Sequence, residues 1–346
     1  MTDPAVTPVF DGHNDVLLRL WRSTPHDRLT RFIDGEETGH IDLPKAKKGG
    51  LAGGLCAVFV PGPSMEKDGN GDFQPPEQPA ALAETLGMAR LLFDIEKAAP
   101  DRLKVCRSAS EIRTAMTEGQ FAAVLHIEGV EAIGPDLDAL HVLHQAGLRT
   151  LGPVWSRPNI FAHGVPFRFP SSPDIGPGLT DSGRDLIKAC NELKIMVDLS
   201  HMNEQGFWDI AKISNAPLVA SHSNVSALCH HSRNVTDRQL DAIRDTGGLV
   251  GINFGVIFLR QDGARNLDTP LEELVRHVDY IVDRIGIEHV ALGSDFDGTT
   301  IPGAMKSAAD LPLLVDALRA GGYDQPALDK ICHQNWIRVL EQTWGA

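Results

Sequence analysis

His13 and Asp15 stand two residues apart in the string FDGHNDVLL. Imidazole and carboxylate both ligate a borderline cation such as zinc. In an extended chain the side-chain period is two, so the pair faces one way. By itself this pattern is weak, and a surface turn with an incidental histidine accounts for it equally well. Glu128 ends AAVLHIEG, where an apolar run meets a glycine. A carboxylate at such a point is costly unless it is paired or bound to a cation. A structural ion pair is the rival explanation. His126, two residues earlier, faces the same side and reads more readily as a hydrogen-bonded strand residue. His201 ends IMVDLSH, and His222 lies near the end of PLVASHS. Five ligand-type residues at the ends of four apolar runs is the arrangement of a catalytic metal site if those ends converge.

Two further residues extend the pattern. Asp295, in GSDFDG, can take a proton from a metal-activated water and return it to a leaving group. Asp297 is the better candidate for capping the turn. Arg233, in HHSRNVT, can clamp a carboxylate with two parallel hydrogen bonds, and an ordinary ion pair is the alternative. Other strings are set aside. GGLAGGL is followed by a strand pattern rather than a helix, so it is no dinucleotide fingerprint. DGNGD at 68–72 begins like a calcium loop but lacks the glycine and the final glutamate. No nucleophile elbow, HExxH or phosphate-binding loop is present.

These residues sit on a regular alternation. Apolar runs at 9–15, 54–60, 122–128, 150–155, 195–201, 217–223, 249–255 and 290–295 suit parallel strands covered on both faces. Amphipathic stretches at 80–99, 181–193, 203–214, 236–246, 270–285, 307–320 and 324–343 read as helices. Ser108 with Glu111, and Thr236 with Gln239, fit capping boxes at helix starts. Eight strand–helix units in 346 residues predict an α/β chain folded as a single (β/α)8 barrel domain over residues 1–346. Its active site is expected at the C-terminal mouth. The Pro/Gly-rich segments 61–79 and 157–178 follow the second and fourth strands and read as walls or lids of that mouth.

Composition narrows the partners. Hydrophobic residues make up 42% and charged residues 23%, with a formal charge of −14. Such a charge opposes nucleic acid and anionic membrane surfaces. Five cysteines without a CxxC pair read as buried free thiols of a reducing compartment. No basic segment followed by an apolar run opens the chain, and no stretch of about 18 apolar residues occurs. The expected location is the cytoplasm.

Taken in order, DGHNDV, IEG, VDLSH, ASHSN, SRNVTD, INF and GSDFDG resemble the membrane (renal) dipeptidase family of zinc metallopeptidases. That family belongs to the amidohydrolase superfamily, and this chain looks like a bacterial-type soluble member. The resemblance runs nearly end to end. It implies a (β/α)8 barrel with two Zn2+ per chain. His13 and Asp15 would bind one zinc, His201 and His222 the other, and Glu128 would bridge both. Arg233 matches the residue that holds the substrate carboxylate, and Asp295 the one that handles the proton. Two departures touch the substrate side. Trp155 stands where well-studied animal members carry a substrate-binding histidine, and Gly255 where they carry a tyrosine after INF. His163, in the following loop, is a candidate replacement for the missing imidazole; a loop histidine without a catalytic role is the alternative.

The expected activity is hydrolysis of small dipeptides with a free C-terminal carboxylate by a metal-bridging hydroxide. The rival on the same scaffold is an amidohydrolase for an N-acyl amino acid, a D-configured dipeptide or a lactam. A zinc-stabilised binding protein is the rival from another class, and Asp295 counts against it. A homodimer is left open.

Overall fold

The structure is a computed structural model and describes residues 6–64, 66, 68 and 72–345. Each of the eight apolar runs contains a strand, and every strand pairing is parallel. The strands are β1 (Val9–Asn14), β2 (Leu51–Phe59), β3 (Leu103–Val105), β4 (Phe121–Glu128) and β5 (Thr150–Gly152). They continue with β6 (Met196–Val197), β7 (Val219–Ser223), β8 (Leu249–Ile252) and β9 (Val290–Leu292). The three-residue β3 was not expected; it pairs with the first residues of β4, ahead of the point where β5 takes over that edge. One curled sheet has the order β1-β2-β4-β5-β6, with β3 off β4, and a second has the order β7-β8-β9. Single parallel bridges, Asp198 to Val219 and Asn14 to Phe296, join the two sheets at their edges.

Burial explains the apolar runs. All eight residues of β4 are buried, as both-face coverage requires. One core cluster lies between strands and helices and draws on residues from Val9 to Cys332. A smaller one gathers Phe10, Leu55, Val124, Met196, Val219, Leu249 and Ala291 from seven strands against Trp336. The indole of Trp336 donates to the Leu292 carbonyl at 2.8 Å. Gly12 lies flat against that ring, where a Cβ would collide with it.

The helices follow their sequence signals with small shifts. Asp181–Leu193 starts and stops as expected, with Thr180 capping Gly183 N. The helix Asp237–Asp245 opens with a complete capping box from Thr236 and Gln239. At the helix Ala109–Thr117, Ser108 caps Glu111 N, but the Glu111 carboxylate accepts from Arg107 N rather than closing the box on Ser108. The C-terminal stretch is three pieces, Gln325–Asp329, a π turn Lys330–Gln334 and Asn335–Trp344. All five cysteines are buried and unpaired. Among the described residues no helix is long and apolar enough to cross a membrane. Of the string 68–72, residues 69–71 lie outside the described residues.

Candidate metal centre

The strands end where polar residues begin. His13 lies in β1 and Asp15 follows it, Glu128 closes β4, and His222 sits within β7. His201 and Asp295 lie just past β6 and β9, with φ of 66° and 58°. Such left-handed backbone is uncommon for residues other than glycine and clusters at functional sites. Asp297 shares it, at 68°, and its carboxylate accepts from His40 N at 2.6 Å and faces Arg19 Nε at 3.0 Å. Asp297 was expected to cap its turn; its carboxylate instead ties the loop after β9 to His40 and Arg19, and the turn is closed by Gly298 N and Thr299 N donating to the Asp295 carbonyl.

The structure brings His13, Asp15, Glu128, His201, His222 and Asp295 into one buried cluster. Glu128 lies between two sets of ligands. Its Oε1 is 2.9 Å from His201 Nε2 and 3.3 Å from His222 Nε2, while its Oε2 is 3.8 Å from His13 Nε2. His13 Nε2 is also 3.5 Å from Asp15 Oδ2. His13, Glu128 and His222 offer ligand atoms within 4.8 Å of one another, and so do His13, Asp15 and Asp295. His126 turns Nδ1 to Thr150 Oγ1 at 2.9 Å, the hydrogen-bonded strand role.

Several observations fit a cation here. His201 Nε2 and His222 Nε2 lie 3.1 Å apart. Their Nδ1 atoms meet Ser156 Oγ at 2.7 Å and Ser221 Oγ at 2.8 Å. Ser221 spends its hydroxyl proton on Asp198 Oδ2, at 2.5 Å, so His222 Nδ1 must be the donor to Ser221 and His222 Nε2 keeps its lone pair. That lone pair points toward Glu128 Oε1, 3.3 Å away, and is free to ligate a cation placed beside the carboxyl group. Both ring nitrogens of His13 and Asp15 Oδ1 are buried without a hydrogen-bond partner, which is rare unless an ion or water satisfies them. Gly298 leaves room beside the carboxylates: a Cβ there would collide with Asp15 Oδ2 and Asp295 Oδ1.

The electrostatics agree. Burial pushes Glu128 up to about 8 and Asp295 up to about 7. Burial opposes charge on His13, yet the Glu128, Asp15 and Asp295 carboxylates hold it up to about 10. His201 and His222 are held well below the usual histidine range by burial, with nearby positive groups adding to it. The cluster therefore retains protons that a cation displaces.

A cleft of about 640 Å³ opens above the cluster, lined by Asp15, Glu128, His201 and Asp295 at its base. Phe59, Phe73, Trp155, Phe167 and Phe258 form an aromatic wall, with Trp155 5.1 Å from Phe59 and 5.8 Å from His201 between ring centres. Pro61 and Phe73 come from the 61–79 segment and Phe167 from 157–178, so both expected wall segments line the cleft. His163 is not among the lining residues; its ring sits by Gly176. Arg233 is buried and, like His163, is not among the lining residues, although its neighbour Phe258 is. Its Nη2 donates to the His222 carbonyl at 3.1 Å, its Nη1 to Ser223 Oγ at 3.3 Å, and its guanidinium lies 5.6 Å from the Phe258 ring centre.

Sequence reasoning missed the supporting residues. Asn253 donates to Asp295 Oδ2 at 2.8 Å. Asp11 accepts from Ser294 N and Oγ at 2.6 and 2.7 Å, fixing β1 to β9 below the cluster. Arg157 pairs with Glu131 at 2.7 Å and donates to the Val60 carbonyl at 2.7 Å, all buried. Asp198 carried a usable signal, a carboxylate directly after an apolar run like that of Glu128; the others carry none until the strands are placed side by side.

Comparison with known proteins points the same way. The chain is 51% identical to a metallo peptidase from Rhodobacter sphaeroides, solved with a phosphinate mimic of the dipeptide L-Ala-D-Ala. The match covers 98% of this chain and 100% of that one, with a TM-score of 0.93. A second solved structure, a dipeptidase AC, is 52% identical, with 99% and 100% coverage and a TM-score of 0.94. The dipeptidase tcpJ of Claviceps purpurea is 29% identical over 336 residues, 96% of this chain and 76% of that protein. The sequence profile of the membrane dipeptidase family, peptidase family M19, matches residues 5–345, and the chain belongs to that family of metallopeptidases.

Proposed function

We propose that the chain hydrolyses the amide bond of dipeptides with a free C-terminal carboxylate, using two zinc ions. His13 and Asp15 would hold one ion, His201 and His222 the other, with Glu128 between them. Bound zinc would polarise the scissile carbonyl and acidify a water toward a pKa of about 7. Asp295, oriented by Asn253, takes the proton of the attacking water and delivers it to the departing amine. The aromatic wall excludes bulk water and packs against the substrate side chains. We read the scaffold as a single-domain (β/α)8 barrel, supported by the two bridges between sheet edges and by the cluster that seven strands share around Trp336. The five buried thiols support a reducing, cytoplasmic setting.

The observation that carries the free-acid substrate is Arg233. It is 4% exposed, beside the imidazole cluster, and among the described residues no carboxylate forms an ion pair with it. A buried guanidinium without its own anion suits a carboxylate brought by the substrate. The phosphinate mimic of L-Ala-D-Ala on the Rhodobacter relative favours a D-configured second residue among the substrates. Hydrolysis of L,L and L,D dipeptides, with and without chelator, tests the reading. Chelator-sensitive release of both amino acids supports it; cleavage of N-acyl amino acids or lactams in place of dipeptides overturns it.

A further inference from the structure

The ligand cluster is built unequally. On one half both imidazoles are tied down from behind. His201 Nδ1 is held by Ser156 Oγ, and His222 Nδ1 by Ser221 Oγ, which is anchored on Asp198. Asp198 is itself fixed: its Oδ1 accepts from Ser200 N at 3.0 Å and Ser221 N at 2.8 Å. The chain of donors runs one way, from His222 Nδ1 to Ser221 Oγ to Asp198 Oδ2, so it fixes both the tautomer and the ring plane. On the other half, His13 has no hydrogen bond to either ring nitrogen and Asp15 Oδ1 has none. His126 Nε2, 3.8 Å from Asp198 Oδ2, is likewise without a partner.

We propose that Ser221 and Asp198 are positioning residues that make the His201–His222 half of the centre the tighter metal position, so that it fills first and the His13–Asp15 half fills second. The physical reason is preorganisation. Ligands already held by hydrogen bonds in the binding geometry lose little freedom when the ion arrives, whereas His13 is held by packing alone, stacked on the His222 ring at 3.8 Å, and Asp15 Oδ1 has no donor behind it. The hydroxyl relay is also what keeps the lone pair of His222 on Nε2. Without it the ring can place its proton on either nitrogen, and the fraction in the ligating form falls. The inference rests on the two-ion reading above and adds an order of loading to it.

The test is a titration of the chelator-stripped protein with Co2+, followed by visible absorption and calorimetry. Wild type should show two separable steps. His13→Ala should remove the weaker step and keep the tighter. Ser221→Ala should weaken the tighter step by about 10- to 100-fold, the usual worth of an outer-shell partner, and leave the weaker step within about threefold. Asp198→Asn should act in the same direction, and Ser221→Thr, which keeps the hydroxyl, should restore the tight step. If Ser221→Ala fails to fold, Ser156→Ala tests the same half from the other imidazole, with the same expected loss. Two equal wild-type steps, or a Ser221→Ala protein that loses both steps alike or neither, overturn the proposal. A wild type that takes up a single ion fails the two-ion reading, which is a different result.

Discussion

Asn253 Nδ2 donates to Asp295 Oδ2 across 2.8 Å, joining the end of β8 to the loop after β9. The bond favours the charged carboxylate and opposes the burial that pushes Asp295 up to about 7. A proton acceptor works when deprotonated, so activity should be present above the Asp295 pKa and fall as pH drops through it. Asn253→Leu removes the donor, and the acidic limb of kcat against pH should move to higher pH. Asp295→Asn should keep the metal and lower kcat by roughly 10²- to 10⁴-fold. An unmoved acidic limb in Asn253→Leu, with full activity in Asp295→Asn, places the proton transfer elsewhere.

Metal uptake should release protons. Burial pushes Glu128 up to about 8, and the carboxylates around His13 hold that imidazole up, so the metal-free cluster keeps protons shared among these groups near neutral pH. A cation must displace those protons, so apparent affinity should rise steadily from pH 6 to pH 8. Calorimetry in buffers of different ionisation enthalpy reads the proton count directly. Glu128→Ala should reduce binding of both ions, because its two oxygens face different imidazole sets; loss of one ion alone argues against the bridging position.

Arg233 should govern the carboxylate requirement. Losing a charge-assisted pair costs about 1.5–3 kcal/mol, or roughly 10- to 150-fold in kcat/KM. Arg233→Met should lose that factor on free-acid dipeptides and much less on the matching amides. The acid-to-amide ratio of kcat/KM, measured for one pair on both proteins, decides it. Equal losses on both substrates leave Arg233 with only its bonds to His222 and Ser223.

The pair Arg157–Glu131 should matter for folding rather than for metal. Both side chains are buried, 1% and 4% exposed, and the Arg157 guanidinium lies over Phe59 and Trp155 at 5.3 and 5.5 Å. Removing one partner of a buried pair typically costs about 3–5 kcal/mol. Glu131→Gln should therefore lower the midpoint of denaturant unfolding and leave metal stoichiometry unchanged. Unaltered stability would show that the pair is replaceable by its backbone bond to Val60.

Much of this chain is local in origin. Each of the eight apolar runs at strand spacing holds a parallel strand, because burial on both faces demands Val, Ile, Leu and Ala without interruption. The candidate ligands could be picked out for the same reason: His13, Glu128, His201 and His222 break such runs near their ends, where a polar side chain needs a partner. Asp297, expected to cap its turn, instead reaches His40 and Arg19, partners no local pattern could name. What pairs with what was decided only by the tertiary structure. The Asp198–Ser221–His222 relay needs β6 and β7 side by side, Asp11 reaches Ser294 across most of the chain length, and Arg157 meets Glu131 only once two loops fold over β2. His163 was the candidate replacement for the imidazole missing at Trp155; the path of the loop sends the histidine toward Gly176, while the indole of Trp155 stands in the wall. Sequence patterns report the environment of a residue through its own neighbours, whereas register between strands and the course of long loops arise from contacts dozens to hundreds of residues apart.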